Sequence, residues 1–240
     1  YLAGHTGLVG GAILRALDEH GYENLLLRTH AELDLTDQAQ TKAFFTQERP
    51  EMVILAAARV GGIMANWEYP YEFVHENLAI ELNVIHEAFR TGVKRLIFLG
   101  SSCIYPRLAP QPLKEEYLLT GPLEETNRPY AIAKIAGIEL CRSLNHEYGR
   151  RYLSLMPTNL YGSGDNFDLQ TSHLVPALIR KFHEAKVADA PTVTLWGTGT
   201  PRREILHVDD LAEAVCLLGK VDQWPEFPEG LVNIGTGEDA

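Results

Sequence analysis

A tyrosine and a lysine stand four residues apart in this chain, at Tyr130 and Lys134, and Ser101, Ser102 and Cys103 precede them. On a helix, residues i and i+4 share a face, so the phenol and the ammonium are predicted to be neighbours. A free tyrosine has a pKa of about 10, and a nearby ammonium favours its phenolate. The pair therefore indicates proton transfer at a carbonyl. Because this spacing is common on exposed helices, the assignment depends on the rest of the chain.

The chain begins with a glycine-rich turn at residues 4–10 (GHTGLVG), between an apolar strand-like segment and an amphipathic helix-like run. Gly4 and Gly7 are predicted to let the backbone turn tightly and approach a pyrophosphate at the positive end of the helix, and Gly10 to let that helix pack closely. The spacing is G-x-x-G-x-x-G rather than G-x-G-x-x-G. Glycine turns are also common as purely structural features, so the strand-turn-helix context is what favours dinucleotide binding.

The residues after the second predicted strand bear on which dinucleotide binds. An acidic residue there holds the ribose 2′-hydroxyl of NAD, whereas a basic residue accommodates the 2′-phosphate of NADP. Residues 27–30 (LRTH) contain Arg28 and no acid before Glu32, which favours NADP(H), although a lone arginine is often just a solvated surface charge. Asp34 is expected to cap the following helix, with contact to the adenine as the alternative.

Composition limits the class of protein. The 240 residues can bury a substantial core in one or two domains, and a net charge of -11 argues against nucleic acid or a membrane surface as the main partner. Cys103, Cys141 and Cys216 form no Cys-x-x-Cys pair, which predicts free thiols in a reducing, cytoplasmic compartment. No metal site is indicated. We see no signal peptide and expect the chain to be a fragment, trimmed at both ends.

The alternation of strand-like and helix-length segments predicts an α/β fold, a Rossmann-like doubly wound parallel sheet with a smaller C-terminal substrate-binding region. Strands are predicted at residues 24–27, 52–57, 95–99, 152–156 and 193–196, and long helices at about 71–90 and 130–148. Residues 1–160 are assigned to the dinucleotide-binding domain with the catalytic residues. Residues 161–240 are assigned to part of the substrate-binding region, interleaved with the last Rossmann elements.

These motifs, in this order, resemble the extended short-chain dehydrogenase/reductase superfamily over nearly the whole chain. More narrowly, five segments resemble the GDP-L-fucose synthase family: residues 56–63 (AAARVGGI), 100–106 (GSSCIYP), 129–137 (PYAIAKIAG), 156–162 (MPTNLYG) and 196–201 (WGTGTP). Members of that family invert two carbons beside a ketone of GDP-4-keto-6-deoxymannose and then reduce the ketone with NADPH. The resemblance therefore implies this activity, a GDP-sugar substrate and NADP(H).

The resemblance implies five catalytic residues. For reduction, Tyr130 supplies the proton, Lys134 lowers the pKa of the phenol and binds the nicotinamide ribose, and Ser101 donates a hydrogen bond to the developing oxyanion. For epimerisation at C3 and C5, Cys103 is implied as the base and His173 as the acid. A thiol of pKa about 8.5 needs only a modestly electropositive neighbourhood to ionise, and a histidine near 6.5 can donate at neutral pH.

The resemblance also implies two sets of binding residues. Those assigned to the cofactor are Gly4, Thr6, Gly7, Leu8, Val9, Gly10, Arg28, His30, Leu99, Ser101, Ser102, Tyr130, Lys134, Pro157, Asn159, Leu160 and His173. Those assigned to the nucleotide sugar are Asn159, Lys181, Trp196 and Arg203. Family members often carry arginine at the positions of Thr6 and His30, and neither residue here can match its bidentate contact with phosphate. We therefore predict NADPH use with a relaxed preference over NADH.

Several alternatives remain open from the residues alone. Cys103 could be a small buried hydrophobe, His173 a surface residue at a helix start, and Trp196 a core aromatic. The rival enzymes are a nucleotide-sugar 4-epimerase or 4,6-dehydratase with tightly held NAD, and the rival from another class is a non-catalytic dinucleotide-binding scaffold. A homodimer is typical of the superfamily, and the two long helices could form a four-helix interface across a two-fold axis.

Overall fold

The structure is a computed structural model that describes residues 1–169, 171–195, 197–200, 202–220 and 230–239. Its strands are β1 (Leu2–Ala3), β2 (Leu27–Arg28), β3 (Met52–Leu55), β4 (Arg95–Leu99), β5 (Arg151–Pro157), β6 (Asn159–Tyr161), β7 (Ile205–His207) and β8 (Leu231–Ile234). Its α-helices are α1 (Leu8–Glu19), α2 (Gln38–Glu48), α3 (Ile63–Glu68), α4 (Pro70–Arg90), α5 (Arg128–Tyr148), α6 (Leu174–Val187) and α7 (Val208–Lys220).

Six strands form one parallel sheet in the order β2-β1-β3-β4-β5-β8, and β6 pairs with β7 in a second, two-stranded parallel sheet. The central strands are apolar on both faces: Val53 pairs with Leu96, which pairs with Tyr152, and all three are buried. A strand buried on both faces needs helices on both sides, which is the doubly wound arrangement. The predicted fold class is confirmed.

Helices cover the two faces of the six-stranded sheet. Helices α1 and α7 pack together on one face, where Ile13 and Leu17 of α1 meet Leu211 and Val215 of α7 in one apolar cluster. Helices α4 and α5 pack together on the other face, next to α2. Since α5 lies directly over the sheet, the side chains of its inner face reach the loop that follows β4. That placement decides where Tyr130 and Lys134 lie.

The strand order reverses at β1, because β1 pairs with β2 on one side and with β3 on the other. Loops that leave the carboxyl ends of β1 and β3 therefore go to opposite faces of the sheet and open a crevice between them. In open parallel sheets, ligands bind in the crevice at this switch point. The glycine turn follows β1 and the segment from residue 56 to 62 follows β3, so both line it.

Several local predictions differ from the structure. The long helices match to within two residues, but residues 193–195 form no strand; Leu195 is half exposed, and no described strand pairs with this segment. Strands β6, β7 and β8 were not predicted, since each is short and lies between glycine- or proline-rich segments. Asp34 does not cap α2. Asp37 does, accepting hydrogen bonds from the amides of Ala39 and Gln40.

Asp34 instead accepts hydrogen bonds from the backbone amide and hydroxyl of Thr36 at 2.9 and 2.7 Å. This local turn brings Asp37 to the helix start, where its carboxylate satisfies two amides that have no partner within the helix.

None of the helices in the described ranges is both long enough and apolar enough to cross a membrane.

Candidate active site

The glycine turn has a backbone geometry that side chains would disrupt at two positions. Gly4 has a φ of +86°, and a Cβ there would lie 2.6 Å from the backbone nitrogen of Ala57 in the loop after β3. A Cβ on Gly10 would overlap the carbonyl oxygen of Gly4. Gly7 differs, because its φ is -85° and a Cβ would make only an ordinary contact at 3.6 Å with the same oxygen. Gly4 and Gly10 therefore close the turn, and Gly7 keeps its outer surface bare.

The turn ends in the first turn of α1, whose N-cap is Gly7, so the N-cap residue provides no side-chain hydrogen-bond partner to the free amides. The side chains of Leu8 and Val9 pack partly against the core beneath the helix. The amides of the first turn thus remain available for an anion at the positive end of the helix dipole. With Gly7 exposed and lacking a side chain, this geometry fits a dinucleotide pyrophosphate.

Replacing Gly10 by alanine is expected to weaken NADPH binding and to lower the melting temperature, because the added Cβ must displace the Gly4 carbonyl. Overpacking of this kind typically costs about 1–3 kcal/mol of folding free energy. Gly7→Ala is the matched control, since its Cβ has room and its φ suits alanine; it should leave the melting temperature within about a degree or two. Calorimetry and cofactor titration of both variants check this, and equal melting temperatures would contradict it.

At the end of β2, the side chain of Arg28 already forms hydrogen bonds within the chain. Its guanidinium donates to Glu48 of α2 at 2.9 Å and to the carbonyl of Leu27 at 2.8 Å. The exposed imidazole of His30 lies 3.9 Å from a carboxylate oxygen of Asp34. Glu32 folds back to accept hydrogen bonds from Thr29, which lower the pKa of its carboxyl. The assignment of Arg28 and His30 to the cofactor stays a prediction, and it requires Arg28 to bind phosphate alongside Glu48.

Ser101 and Cys103 lie at the carboxyl end of β4. The hydroxyl of Ser101 accepts a hydrogen bond from the amide of Cys103 at 3.4 Å and caps a short 3-10 turn, Ser102–Ile104. A Cβ at the preceding Gly100 would overlap Met156 of β5, so the glycine lets the chain turn close over the sheet. The turn directs the serine hydroxyl and the thiol to the same end of the sheet as the glycine turn.

Tyr130 and Lys134 reach this loop from α5. The ammonium of Lys134 donates to the carbonyl oxygen of Leu99 at 3.0 Å, and it lies 5.7 Å from the ring centroid of Tyr130. It also lies 3.1 Å from Glu81 of α4, a residue that the sequence did not single out. Side chains of Glu81 and Lys134 are 1% and 2% exposed. The predicted proximity of the phenol and the ammonium is thus present, with a buried carboxylate beside them.

The pKa of Tyr130 was predicted to be lowered, and that prediction is wrong for the chain by itself. Burial of the phenol raises the pKa well above its usual value, and the charges of Cys103 and Glu81 raise it further. The physical reason is that desolvation disfavours the phenolate, while the nearby negative charge of Glu81 opposes the positive charge of Lys134. Tyr130 is therefore protonated near neutral pH, which suits a group that donates a proton to a ketone.

Cys103 was predicted to ionise readily, and this prediction also fails for the chain alone. The residue is half-buried, and burial raises the pKa of its thiol to about 11, against smaller lowering by Ser101 and Lys134. A low-dielectric setting disfavours the thiolate more than one partly neutralised ammonium favours it. Cys103 is thus a thiol in the resting site.

His173 is the N-cap residue of α6. The segment before it is held to the loop after β3, because the amide of Gly62 donates to the carbonyl of Thr171 at 2.9 Å and a Cβ at Gly62 would lie 2.6 Å from the Ser172 carbonyl oxygen. Loss of hydration lowers the pKa of His173, and the carboxylate of Asp165 opposes this. The structure thus places His173 beside the crevice with a neutral resting imidazole, and its role as the acid stays a prediction.

The residues predicted to bind the nucleotide sugar are distributed over several elements. Asn159, at the start of β6, donates to the carbonyl of Glu204 at 3.0 Å. Lys181 of α6 lines a shallow pocket of about 470 Å³ with Glu184 and Thr194. Arg203 is exposed and donates to the carbonyl of Arg202 at 2.8 Å.

Pro157 and Leu160 were predicted to bind the cofactor, and Trp196 was predicted to bind the nucleotide sugar. Pro157 ends β5, where it pairs with Ile234 of β8, and Leu160 lies in β6 next to it. Both are at the carboxyl end of the sheet. Trp196 lies outside the residues that the structure describes. Of the predicted site residues that the structure describes, the most closely grouped are Ser101, Cys103, Tyr130 and Lys134.

Two groups beside the predicted site were missed from the sequence. Glu81 is spaced four residues from both Asn77 and Ile85, so the apolar pattern of α4 placed it on the buried face; a charge at such a position is the signal that could have identified it. Asp165 has a buried carboxylate oxygen without a hydrogen bond in the described chain, and burial raises its pKa. Nothing in its sequence context distinguishes it from a loop aspartate.

The fold and these groups define a class of nucleotide-binding enzyme. The chain belongs to the NAD dependent epimerase/dehydratase family, whose sequence model matches residues 1–235. It is 57% identical to GDP-L-fucose synthase 1 of Arabidopsis thaliana, over 100% of this chain and 73% of that protein. It is 53% identical to GDP-L-fucose synthase of Escherichia coli K12, over 100% of this chain and 76% of that protein.

A solved structure is similar over the whole described fold. It is a GDP-mannoheptose C4 reductase from Campylobacter jejuni with NADP bound, 38% identical, with a TM-score of 0.91 over 100% of this chain and 80% of that chain. The family and the superfamily resemblance predicted from the sequence are therefore confirmed.

Proposed function

We propose that this chain converts GDP-4-keto-6-deoxy-D-mannose to GDP-L-fucose, by inverting C3 and C5 and then reducing the C4 ketone with NADP(H) as cofactor. It is an NADP-dependent oxidoreductase and epimerase acting on a GDP-sugar. One observation carries the proposal: a serine, a cysteine, a tyrosine and a lysine converge at the carboxyl end of β4, namely Ser101, Cys103, Tyr130 and Lys134. The names of the relatives and the NADP-bound neighbour support it.

In the reduction, the chain's own residues supply the proton and stabilise the developing charge. When bound, NADPH supplies the hydride to C4 of the sugar. Tyr130, protonated at neutral pH, donates its proton to the ketone oxygen, and the Ser101 hydroxyl donates a hydrogen bond to the same oxygen as negative charge develops. Lys134 then stabilises the phenolate that Tyr130 becomes. The ammonium is held in reach by the Leu99 carbonyl.

In the epimerisation, the ketone at C4 acidifies the protons at C3 and C5. Cys103, as thiolate, removes the proton from one face and forms an enolate, and His173 returns a proton to the opposite face. Ser101 and Tyr130 donate hydrogen bonds to the enolate oxygen at C4. Each inversion exchanges a carbon-bound proton with solvent, while the sugar's oxidation state does not change.

A second candidate function is reduction of a GDP-4-keto sugar without epimerisation. The high thiol pKa of Cys103, about 11, favours it, since a thiol is a poor base for a carbon acid. The fold's similarity to a C4 reductase supports the same alternative. A 4,6-dehydratase is disfavoured, because such enzymes are expected to carry an acidic pair beside the active-site serine, where this chain has Ser102 and Cys103.

Incubation with GDP-4-keto-6-deoxy-D-mannose and NADPH, followed by stereochemical analysis of the sugar, separates the two candidates. We expect stoichiometric oxidation of NADPH and a product with the L-fucose configuration. A 6-deoxyhexose that keeps the D configuration at C5 would support the reductase alternative. Absence of NADPH oxidation with any GDP-4-keto sugar would overturn both.

The rate of proton exchange by Cys103 is expected to rise with pH throughout the neutral range. A thiol with a pKa of about 11 is ionised to only about one part in ten thousand at pH 7. Because the pKa is raised, the thiolate grows about tenfold per pH unit until the pH approaches that value. Exchange of C3 and C5 protons in deuterated solvent measures this, in the His173→Gln variant so that only one group titrates. A plateau below pH 8 would mean that the thiol ionises near neutrality.

Residues 161–240 are proposed to contribute the nucleotide-sugar site, interleaved with the Rossmann elements that residues 1–160 begin. The support is that α7 and β8 return to the main sheet, while Lys181 and Thr194 line a pocket outside it. A diphosphate is expected to interact with the cationic side chains of Lys181 and Arg203. Asn159 is assigned to the sugar.

A homodimer formed through α4 and α5 is proposed as the assembly. Their outer face has a groove of about 460 Å³, lined by apolar side chains that include Leu78, Leu82 and Leu140. Leu82 is 52% exposed, and Ile132 of α5 is 46% exposed on the same helix pair. An apolar helix face repeated by a two-fold axis buries itself against its own copy.

We place the enzyme in the cytoplasm, which agrees with three free cysteines.

A further inference from the structure

A buried carboxylate lies on the far side of Lys134 from the loop after β4. Glu81 of α4 is 1% exposed, and its oxygen Oε1 lies 3.1 Å from the Lys134 ammonium. That ammonium also donates to the Leu99 carbonyl at 3.0 Å and lies 4.7 Å from the ring centroid of Phe98. The position of the lysine is thus determined by three groups, of which Glu81 is the one that can carry a negative charge.

The fold makes space for this carboxylate. A Cβ at Gly137, one turn after Lys134 on α5, would lie 2.8 Å from Oε2 of Glu81 and 2.6 Å from the ring of Phe98. The absence of a side chain there lets Glu81 extend across the contact between α4 and α5. In the part of the chain that the structure describes, neither oxygen of Glu81 has a hydrogen bond of good geometry. Lys134 is therefore its main electrostatic partner.

A buried carboxylate without hydrogen bonds is costly unless a nearby charge compensates it. Burial raises the pKa of Glu81 to about 7, against the opposing effect of Lys134. Its negative charge in turn raises the pKa of Tyr130, and that of the buried thiol Cys141. Lys134, Tyr130 and Cys141, all on α5, are the titratable groups that face it. Above neutral pH, the charges of the carboxylate and the ammonium have largely cancelling effects on the pKa of Tyr130.

We propose that Glu81 is a positioning residue for the reduction, which holds the Lys134 ammonium beneath Tyr130 and keeps the phenol a proton donor rather than a phenolate. The inference rests on the proposed function. A ketone reduction needs Tyr130 in its protonated form at the start of each cycle, whereas an alcohol oxidation needs the phenolate. Glu81 therefore favours the reductive direction over a wider range of pH.

The test is the pH profile of kcat for NADPH-dependent reduction in Glu81→Gln. We expect the alkaline limb to move to lower pH by about one to two units, the size of shift that a nearby charge produces. Loss of the carboxylate has this effect because the uncompensated ammonium then favours the phenolate. The KM for NADPH should change little, since Glu81 is buried beneath the site.

The matched control is Glu87→Gln. Glu87 lies on the same helix, is 3% exposed and pairs with Arg90 at 2.6 Å, so its replacement also removes a buried, paired carboxylate from α4. Its variant should keep the wild-type pH profile. Glu81→Asp, which retains the charge, should keep the alkaline limb close to its wild-type position. If Glu81→Gln does not fold, Gly137→Ala displaces the carboxylate instead, and the same shift is expected from it.

A second readout needs no cofactor. Carbon-13 NMR of labelled tyrosine rings follows each phenol, and Tyr130→Phe identifies the Tyr130 signal. In Glu81→Gln this signal should titrate at lower pH than in the wild type. An unmoved alkaline limb and an unmoved Tyr130 titration in a folded variant would overturn the inference alone. A wild-type protein that does not reduce the keto sugar would instead contradict the proposed function.

Discussion

Replacing Tyr130 by phenylalanine is expected to reduce the rate of ketone reduction by about 10²–10⁴-fold, while protons at C3 and C5 continue to exchange with solvent. The phenol is the group placed to protonate the C4 oxygen, and its raised pKa keeps that proton available near neutrality. The exchange should slow much less than the reduction, because Cys103 still removes the proton and Ser101 still donates a hydrogen bond to the enolate oxygen. The variant thereby separates the two halves of the reaction.

Tyr105→Phe is the control for Tyr130→Phe. Tyr105 follows the Ser102–Ile104 turn, and its hydroxyl donates to Asn233 at 2.6 Å. Loss of that hydrogen bond should cost about 1 kcal/mol of stability and leave the chemistry intact. Rates of NADPH oxidation and deuterium incorporation, measured side by side, check both variants. Reduction at more than a tenth of the wild-type rate in Tyr130→Phe would show that another group donates the proton.

Replacing Cys103 by serine is expected to suppress deuterium exchange at C3 and C5 by about 10²–10⁴-fold, the usual contribution of a positioned general base. A serine hydroxyl ionises far less readily than a thiol, even a thiol whose pKa is about 11. The shape of the loop should be preserved, because the Ser101 hydroxyl accepts from the backbone amide of residue 103. Reduction of an already epimerised keto sugar should persist.

Cys216→Ser is the matched control for Cys103→Ser. Cys216 is a buried free cysteine on α7, on the opposite face of the sheet from α5, so its replacement tests thiol loss without touching the site. It should lower stability and leave exchange unchanged. Wild-type exchange in Cys103→Ser, measured by mass spectrometry of the recovered sugar, would refute the assignment of the base.

The main elements of the fold could be predicted because their patterns are local. The run from residue 95 to 99 is apolar throughout, as a strand buried on both faces requires, and α4 repeats apolar residues at three-to-four spacing. Strand β8 could not be predicted in the same way. Among the strands that the structure describes, these four residues pair only with β5, so their conformation depends on a partner about eighty positions away in the chain.

The candidate site shows the same division. The glycine turn and the proximity of Tyr130 to Lys134 could be predicted, because each depends on one continuous segment of the chain. The ionisation of Tyr130 and Cys103 was predicted incorrectly, because it depends on the burial of each group in the folded chain and, for Tyr130, also on the charges of Cys103 and Glu81. A pKa depends on the groups around the side chain, and the sequence alone does not show which groups those are.

Whether one site both epimerises and reduces can be measured in a single reaction of wild-type protein with GDP-4-keto-6-deoxy-D-mannose and NADPH in deuterated water. We expect one equivalent of NADPH to be oxidised per sugar and the GDP-L-fucose formed to carry carbon-bound deuterium at both C3 and C5. A reduced sugar with no deuterium at either carbon would contradict this expectation, because the ketone would then have been reduced without any inversion.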